Sequence, residues 1–374
     1  MPNIRLTVVL VFLFTLSACS NNVNSGGSLS EDKIYHISGY EEKVQPLSRV
    51  TEKIWGYEVD ENRIAFIRNP IRENSKSYES VFELVVLDIE NNEEQVILRS
   101  GPSSVPGDEV MDPKVLGFED GLLVYAVYEA TEYSDEPMDI LNWEWNQNGR
   151  FIFHNLDTGE ITDYPWDDID YFPSNEILDV GGGSIVWHYY EKGRTDEDGM
   201  IWSGDHTYAF LDGSTLELSF FPDAYWEELM TNGKQMFWGF ERVKMHNMET
   251  GETFAITPEG MNEDLLHVKK DKLIIRRKAV KGVDGAQGNS LSLYSYDLNA
   301  KEYTLLTDGR FEVLSGDADG DYIVWSQYWE IYYKKIGRDT VRVTDNNVDD
   351  RNPIISGKNI VWEQEGKLML YIIP

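Results

Sequence analysis

The chain has 374 residues, 41% hydrophobic and 26% charged, a composition that excludes intrinsic disorder and collagen-like fibres. Its 66 acids against 33 bases give a formal net charge of -33, which repels phosphate backbones and anionic membrane surfaces and so excludes nucleic-acid binding. Aromatics reach 13%, with 11 Trp and 21 Tyr, and leave cations, basic proteins and neutral sugars as ligand classes. The plainest reading of the acid excess is solubility in salty surroundings. Length alone suggests two domains or one repeat-built β domain.

The N-terminus carries one basic side chain, Arg5, then an apolar run from Leu6 to Leu16. That run is too short to span a bilayer as a helix and has the size of a signal-peptide core. It ends in Leu16-Ser17-Ala18-Cys19, which resembles the lipobox of bacterial lipoproteins. The alternative is a plain secretory signal with an incidental cysteine. Cys19 is the single cysteine, so no intrachain disulfide can form. The resemblance implies a diacylglycerol on the Cys19 thiol, cleavage before Cys19 and acylation of the new amine. Each buried methylene contributes about 0.8 kcal/mol, so two or three acyl chains anchor persistently. Residues 1–18 are thus expected to be the signal peptide, 19–32 a flexible tether, and 33–374 the folded domain. No other apolar run approaches spanning length, so membrane contact is expected through the lipid alone. Ser20 rather than Asp follows the cysteine, which by the family's sorting rule implies the outer membrane in a Gram-negative host.

Beyond the tether one pattern recurs seven times: a short strand, a turn of Gly, Asn, Asp or Lys, and an apolar triplet that often ends in an aromatic. The copies are 54–66, 115–125, 177–187, 229–238, 265–275, 313–325 and 354–362, and four of them end in Trp. Most are followed by a second hairpin, such as 151–162 (FIFHNLDTGEIT) or 331–344 (IYYKKIGRDTVRVT). Each unit therefore reads as four antiparallel strands with hairpin turns. The expected fold is all-β, a monomeric seven-bladed β-propeller of four-stranded antiparallel blades. The Ile-Val-Trp triplets are continuous rather than alternating, as strands covered on both faces must be. The last unit ends at Pro374 without a fourth strand, and the segment 33–47 could supply it. That segment reads as two strands where one is needed, and the sequence does not decide which pairs.

The copies Gly320-Asp321-Tyr322-Ile323-Val324-Trp325 and Ser356-Gly357-Lys358-Asn359-Ile360-Val361-Trp362, with the later Tyr-Asp-Leu and Thr-Gly-Glu hairpins, resemble TolB-type and related cell-surface propeller repeats. The Ser-Pro-Asp-Gly turn common in TolB repeats is absent. The resemblance implies a fold and an envelope setting, and no particular partner.

Second-to-third-strand connections and blade-to-blade connections share one face of a propeller. Long insertions at 69–81, 129–150, 191–206 and 278–290 crowd that face. With the blade-to-blade loops they carry the candidate binding aromatics Tyr128, Tyr133, Trp143, Trp145, Trp166, Tyr171, Trp202 and Trp226. Aromatics beside carboxylates suit sugar stacking or capture of a protein segment; the alternative is that the loops fold back over their own rings. Asp317, Asp319 and Asp321 have the alternate spacing of a calcium loop, but no Glu closes it, and an ordinary first-to-second-strand turn is the simpler reading. No cofactor is otherwise indicated, and Asp345 to Asp350 reads as a solvated loop. No nucleophile elbow, zinc-protease motif or phosphate loop occurs. Of the six histidines His188 and His206 stand nearest the insertions, and the carboxylates are too many to nominate a catalytic pair. The expected function is a lipid-anchored envelope scaffold that binds a protein or glycan. The alternative is a carbohydrate-active hydrolase or lyase with acids in the central funnel.

Overall fold

The computed structural model describes residues 35–36, 44–47, 53–69, 82–99, 111–129, 148–165, 178–190, 206–222, 229–239, 242–257, 262–278, 291–306 and 313–374. The lipobox with Cys19 lies outside them. All regular elements among the described residues are strands, and they form seven sheets. Six complete antiparallel blades follow in chain order: 53–99, 111–165, 178–222, 229–255, 262–305 and 313–342 (blades 1 to 6). Blade 7 takes three strands from 350–372.

The N-terminal segment uses both of its strands. Val44–Pro46 pairs antiparallel with Lys367–Ile372, Val44 opposite Tyr371, and supplies the fourth strand of blade 7. Tyr35–His36 pairs parallel with Thr340–Arg342 and adds a fifth strand to blade 6. The ring is thus closed by a strand from the start of the fold laid on one from its end.

The core divides into seven clusters, one at each seam between consecutive blades. Strand period explains why the apolar triplets are continuous. In Ser184–Tyr190 of blade 3, Ile185 and Trp187 face blade 2 while Val186 faces blade 4. In blade 6, Ile323 and Trp325 face blade 5 while Val324 faces blade 7. Successive side chains point to opposite faces, and both faces are covered. Trp187, Trp325 and Trp362 are fully buried. Phe151 of blade 2 meets Trp187 of blade 3 at 5.7 Å, and Tyr208 of blade 3 meets Trp238 of blade 4 at 5.5 Å, both tilted. Outer strands are largely exposed, as in Glu93–Arg99 and Ile161–Pro165, and several carry exposed apolar side chains, Val96, Ile161, Phe220, Phe254 and Leu305 among them.

The innermost strands share a kink. Register slips by one residue at Ile54/Gly56, Val115/Gly117, Leu265/His267, Val313/Ser315 and Arg351/Ile354. These bulges bend five blades along the central channel. The blades also approach closely there: a Cβ on Gly181 of blade 3 would lie 2.0 Å from the carbonyl oxygen of Thr231 in blade 4.

Val44 is buried in the cluster between blades 6 and 7. V44D would place a charge there, and we expect Tm to fall by roughly 5 °C or more in scanning calorimetry. Unchanged melting would remove this strand from ring closure.

Candidate functional site

Each innermost strand is the edge of its sheet, so its channel-side N–H and C=O groups have no ladder partner. Polar side chains of the neighbouring blade supply one at Thr231 and Ile355, and at almost every seam such a side chain also ties a backbone group of the first-to-second-strand turn. Asp60 of blade 1 accepts from the backbone N–H of Asp120 (3.1 Å) and Gly121 (2.8 Å) in blade 2. Glu119 of blade 2 accepts from Gly182 N–H at 2.9 Å, and Asp179 of blade 3 from Thr231 N–H at 2.8 Å. Asn232 of blade 4 donates to the carbonyl of Lys270 in blade 5 at 2.6 Å. Asp317 and Asp319 of blade 6 accept from Ile355 N–H (2.8 Å) and Gly357 N–H (2.6 Å) in blade 7. Glu61 N–H of blade 1 donates to Ser356 Oγ of blade 7 at 2.7 Å. Between blades 5 and 6 the link is ionic: His267 Nε2 lies 2.6 Å from Asp317 Oδ1, though off the line of an aligned ring N–H bond.

Inside this girdle is a cavity of about 480 Å³ lined by the inner strands of blades 1, 2, 3, 5, 6 and 7. Glu58, Glu119, Asp179, Asp317 and Glu363 face it together with His267 and Lys269, beside apolar walls that include Tyr57, Phe118 and Ile354. The Tyr57 hydroxyl donates to the carbonyl of Asn352. Among the described residues blade 4, whose inner strand is Leu229–Thr231, contributes nothing to the lining.

The charges in the bore are strongly coupled. Burial pushes the Glu58 carboxyl up to about 8, reinforced by the Asp317 charge and opposed by Lys269 and His267. Burial also raises Asp179 to about 6, against the N–H bond from Thr231. For Asp317 the burial cost is outweighed by Lys269, His267 and the Ile355 N–H, which bring it to about 2. His267 and Lys269 both lose to burial and gain more from Asp317, so each holds its proton to higher pH than usual. At neutral pH the bore therefore holds a protonated Glu58 beside ionised Asp317 and the protonated Lys269, with His267 shifted toward its charged form.

The calcium spacing resolves otherwise. Asp317 and Asp319 lie in the inner strand Val313–Asp319 rather than in the turn, and both are engaged by blade 7. Asp321 follows in the turn. Among the described residues no group of three or more His, Cys, Asp or Glu is arranged to hold a metal ion. Asp345 to Asp350 is not wholly solvated: Asp350 is buried and accepts from Trp362 Nε1 (2.8 Å) and Gln364 Nε2 (2.7 Å). Of the candidate aromatics, Tyr128 lies in the second strand of blade 2, Leu122–Glu129, and its side chain is outside the described residues. Tyr133, Trp143, Trp145, Trp166, Tyr171, Trp202 and Trp226 are also outside them. The structure brings together residues the motif scan passed over: Glu58, Asp179, His267 and Lys269. For Glu58, Asp179 and His267 the signal was a polar residue two places before the end of the first strand, a place Asp317 shares; Lys269 is the last residue of its strand.

Glu58 predicts a pH-dependent stability. Its folded value lies above the ordinary 4.5, so between pH 4.5 and about 8 the native state binds a proton that the unfolded state has lost. Stability should fall as pH rises through that window, by about 1.4 kcal/mol per unit at most, and level off above it. E58Q removes the effect. Urea melts should show the variant more stable than the parent at pH 8.5 and equal to it at pH 4; a constant difference would contradict the assignment.

No protein-family model matches the chain, and no curated protein matches it. Solved structures do. The acylaminoacyl peptidase of Pyrococcus horikoshii superposes with a TM-score of 0.57 at 12% identity, over 84% of this chain and 49% of that one. The β-propeller domain of the trilobed protease from Pyrococcus furiosus gives 0.55 at 11% identity, over 86% of this chain and 93% of that one. A prolyl endopeptidase gives 0.52 at 12% identity, over 86% of this chain and 50% of that one. This chain spans about half the length of the acylaminoacyl peptidase. The Pyrococcus furiosus domain is described as having an open velcro topology, whereas Val44–Pro46 closes the last blade here. At such identities the likeness shows the fold, a β-propeller.

Proposed function

We propose that this chain is a lipid-anchored envelope protein whose propeller is a recognition platform for a protein or glycan partner. The observation that carries the reading is the asymmetry of the two ends of the ring. The second-to-third-strand connections of blades 6 and 7 are tight turns at 328–329 and 365–366. Those of blades 1, 2, 3 and 5 run through 70–82, 130–147, 191–205 and 279–290. All leave from the end where the inner strands begin, as Ile54 opposite Arg68 and Asp112 opposite Tyr128 make plain. The turns at the opposite end are short. A rigid scaffold with its variable length on one face is the arrangement of a binding protein.

The lipid anchor is inferred from Leu16-Ser17-Ala18-Cys19, and the envelope setting from that motif and the TolB-type repeats. The hydrolase alternative asks for two free carboxylates at one bond. Glu119, Asp179 and Asp317 are committed to backbone N–H groups, which leaves Glu58 and Glu363 as the described channel acids without such a partner.

Replacing 130–147, the longest connection, with a short Gly-Ser turn should abolish partner capture in a crosslinking pull-down from envelope extract and leave the melting transition in place. Capture retained by the shortened protein would count against the platform.

A further inference from the structure

Glu58 is set apart from the other acids of the inner strands. Asp60, Glu119, Asp179, Asp317 and Asp319 each accept a backbone N–H of the next blade. The side chain of Glu58 has no hydrogen-bond partner among the described residues, and its seam is already linked through Asp60. It stands two places before the end of its strand, as Asp179 and Asp317 do in theirs. At that place in the next blade the chain has Gly117, where a Cβ would come within 2.7 Å of Val180 Cγ1, so blade 2 sets no second carboxyl beside Glu58. A carboxyl with no structural duty thus faces a cavity of about 480 Å³, within the range of small-ligand sites.

The charge of the bore selects the ligand. Five acids line it against Lys269 and His267, so an anion is repelled. The bore already favours one ammonium: Lys269 Nζ donates to the carbonyl of Ile355 at 3.2 Å and holds its proton tightly despite burial, because Asp317, Asp319, Glu119 and Glu58 surround it. The walls beside Glu58 are apolar, from Ile54, Tyr57, Phe118, Ile354 and Pro353, and suit an alkyl stem.

We propose that the channel binds an alkyl-ammonium or alkyl-guanidinium group, with its charge on the Glu58 carboxylate and its stem against Tyr57, Phe118 and Ile354. The proposal rests on the platform reading in one respect: the group would arrive on a partner seated at the insertion-bearing end. The same chemistry is carried by a free polyamine and by a Lys or Arg side chain of a polypeptide. Glu58 faces Asp317, Lys269, His267 and Asp179 across the bore, with Tyr57 and Glu363 beside it. Glu58 is protonated when the bore is empty of cation. A bound cation ionises it, and the proton leaves to solvent.

The test is titration calorimetry of the full chain at pH 7 in two buffers of different ionisation enthalpy. The probes are butylamine, agmatine, and an acetylated, amidated Gly-Lys-Gly peptide. The expected result is saturable binding that releases close to one proton per ligand, with affinity rising between pH 6 and 8. E58Q should abolish the proton release and weaken binding by about tenfold or more. Gln closely matches the protonated acid in shape, so the variant should keep the parent's urea midpoint at pH 4, which separates a binding loss from misfolding. Tighter binding of the peptide than of butylamine assigns the source to a polypeptide side chain, and the reverse order to a free amine; either supports the site. No binding by any probe, or equal affinity and proton release in E58Q, overturns it. Loss of partner capture on replacing 130–147 is read separately, so the platform can fail while amine binding stands, and the reverse.

Discussion

The inner edge of each blade is the constraint on which the ring depends. A propeller buries its sheets against one another but leaves seven strand edges around a narrow bore, each with backbone groups that no ladder can reach. An unpaired backbone group away from bulk water costs about as much as a lost hydrogen bond, ~1–3 kcal/mol. This chain reaches across the seams with side chains: Asp179 and Asp317 bond inner-strand N–H groups, and Asp60, Glu119, Asp319, the Asn232 amide and the Ser356 hydroxyl tie down the turns that end the inner strands. Apolar packing holds the same seams further out, one cluster to each. The two layers fix neighbouring blades at two radii.

That solution sets the chemistry of the channel. Carboxylates chosen to cap N–H groups bring negative potential into a confined space, and His267 and Lys269 answer part of it. The balance is incomplete, and Glu58 absorbs the remainder by keeping its proton. The acid excess of the chain is therefore not only a surface property. Part of it is structural, and the structural part makes the bore attractive to cations.

The fold was legible in the sequence because strand period and burial are coupled. A triplet such as Ile360-Val361-Trp362 can be apolar throughout only if both faces of its strand are covered, and Ile360 and Trp362 do face blade 6 while Val361 faces blade 1. Ring closure was half legible: the strand character of 33–47 was plain, but pairing depends on register in space, and the segment divides itself between blades 6 and 7. The site was less legible. Asp317 reads as a turn acid because Gly320 stands nearby, and only the paired register shows it inside a strand with His267 opposite. Glu58 and Asp179 gain meaning only when units more than a hundred residues apart are brought round one axis.

The most direct measurement of this account is native-state hydrogen exchange at the seam amides. Gly182, Thr231, Ile355 and Gly357 sit on or beside free strand edges, yet each N–H is bonded to a carboxylate of the preceding blade. If those side chains hold the ring, these amides should exchange only through large openings, as slowly as those of the buried second strands. Exchange within seconds at the four seam amides, with the second strands still protected, would show that the bore is not closed in this way.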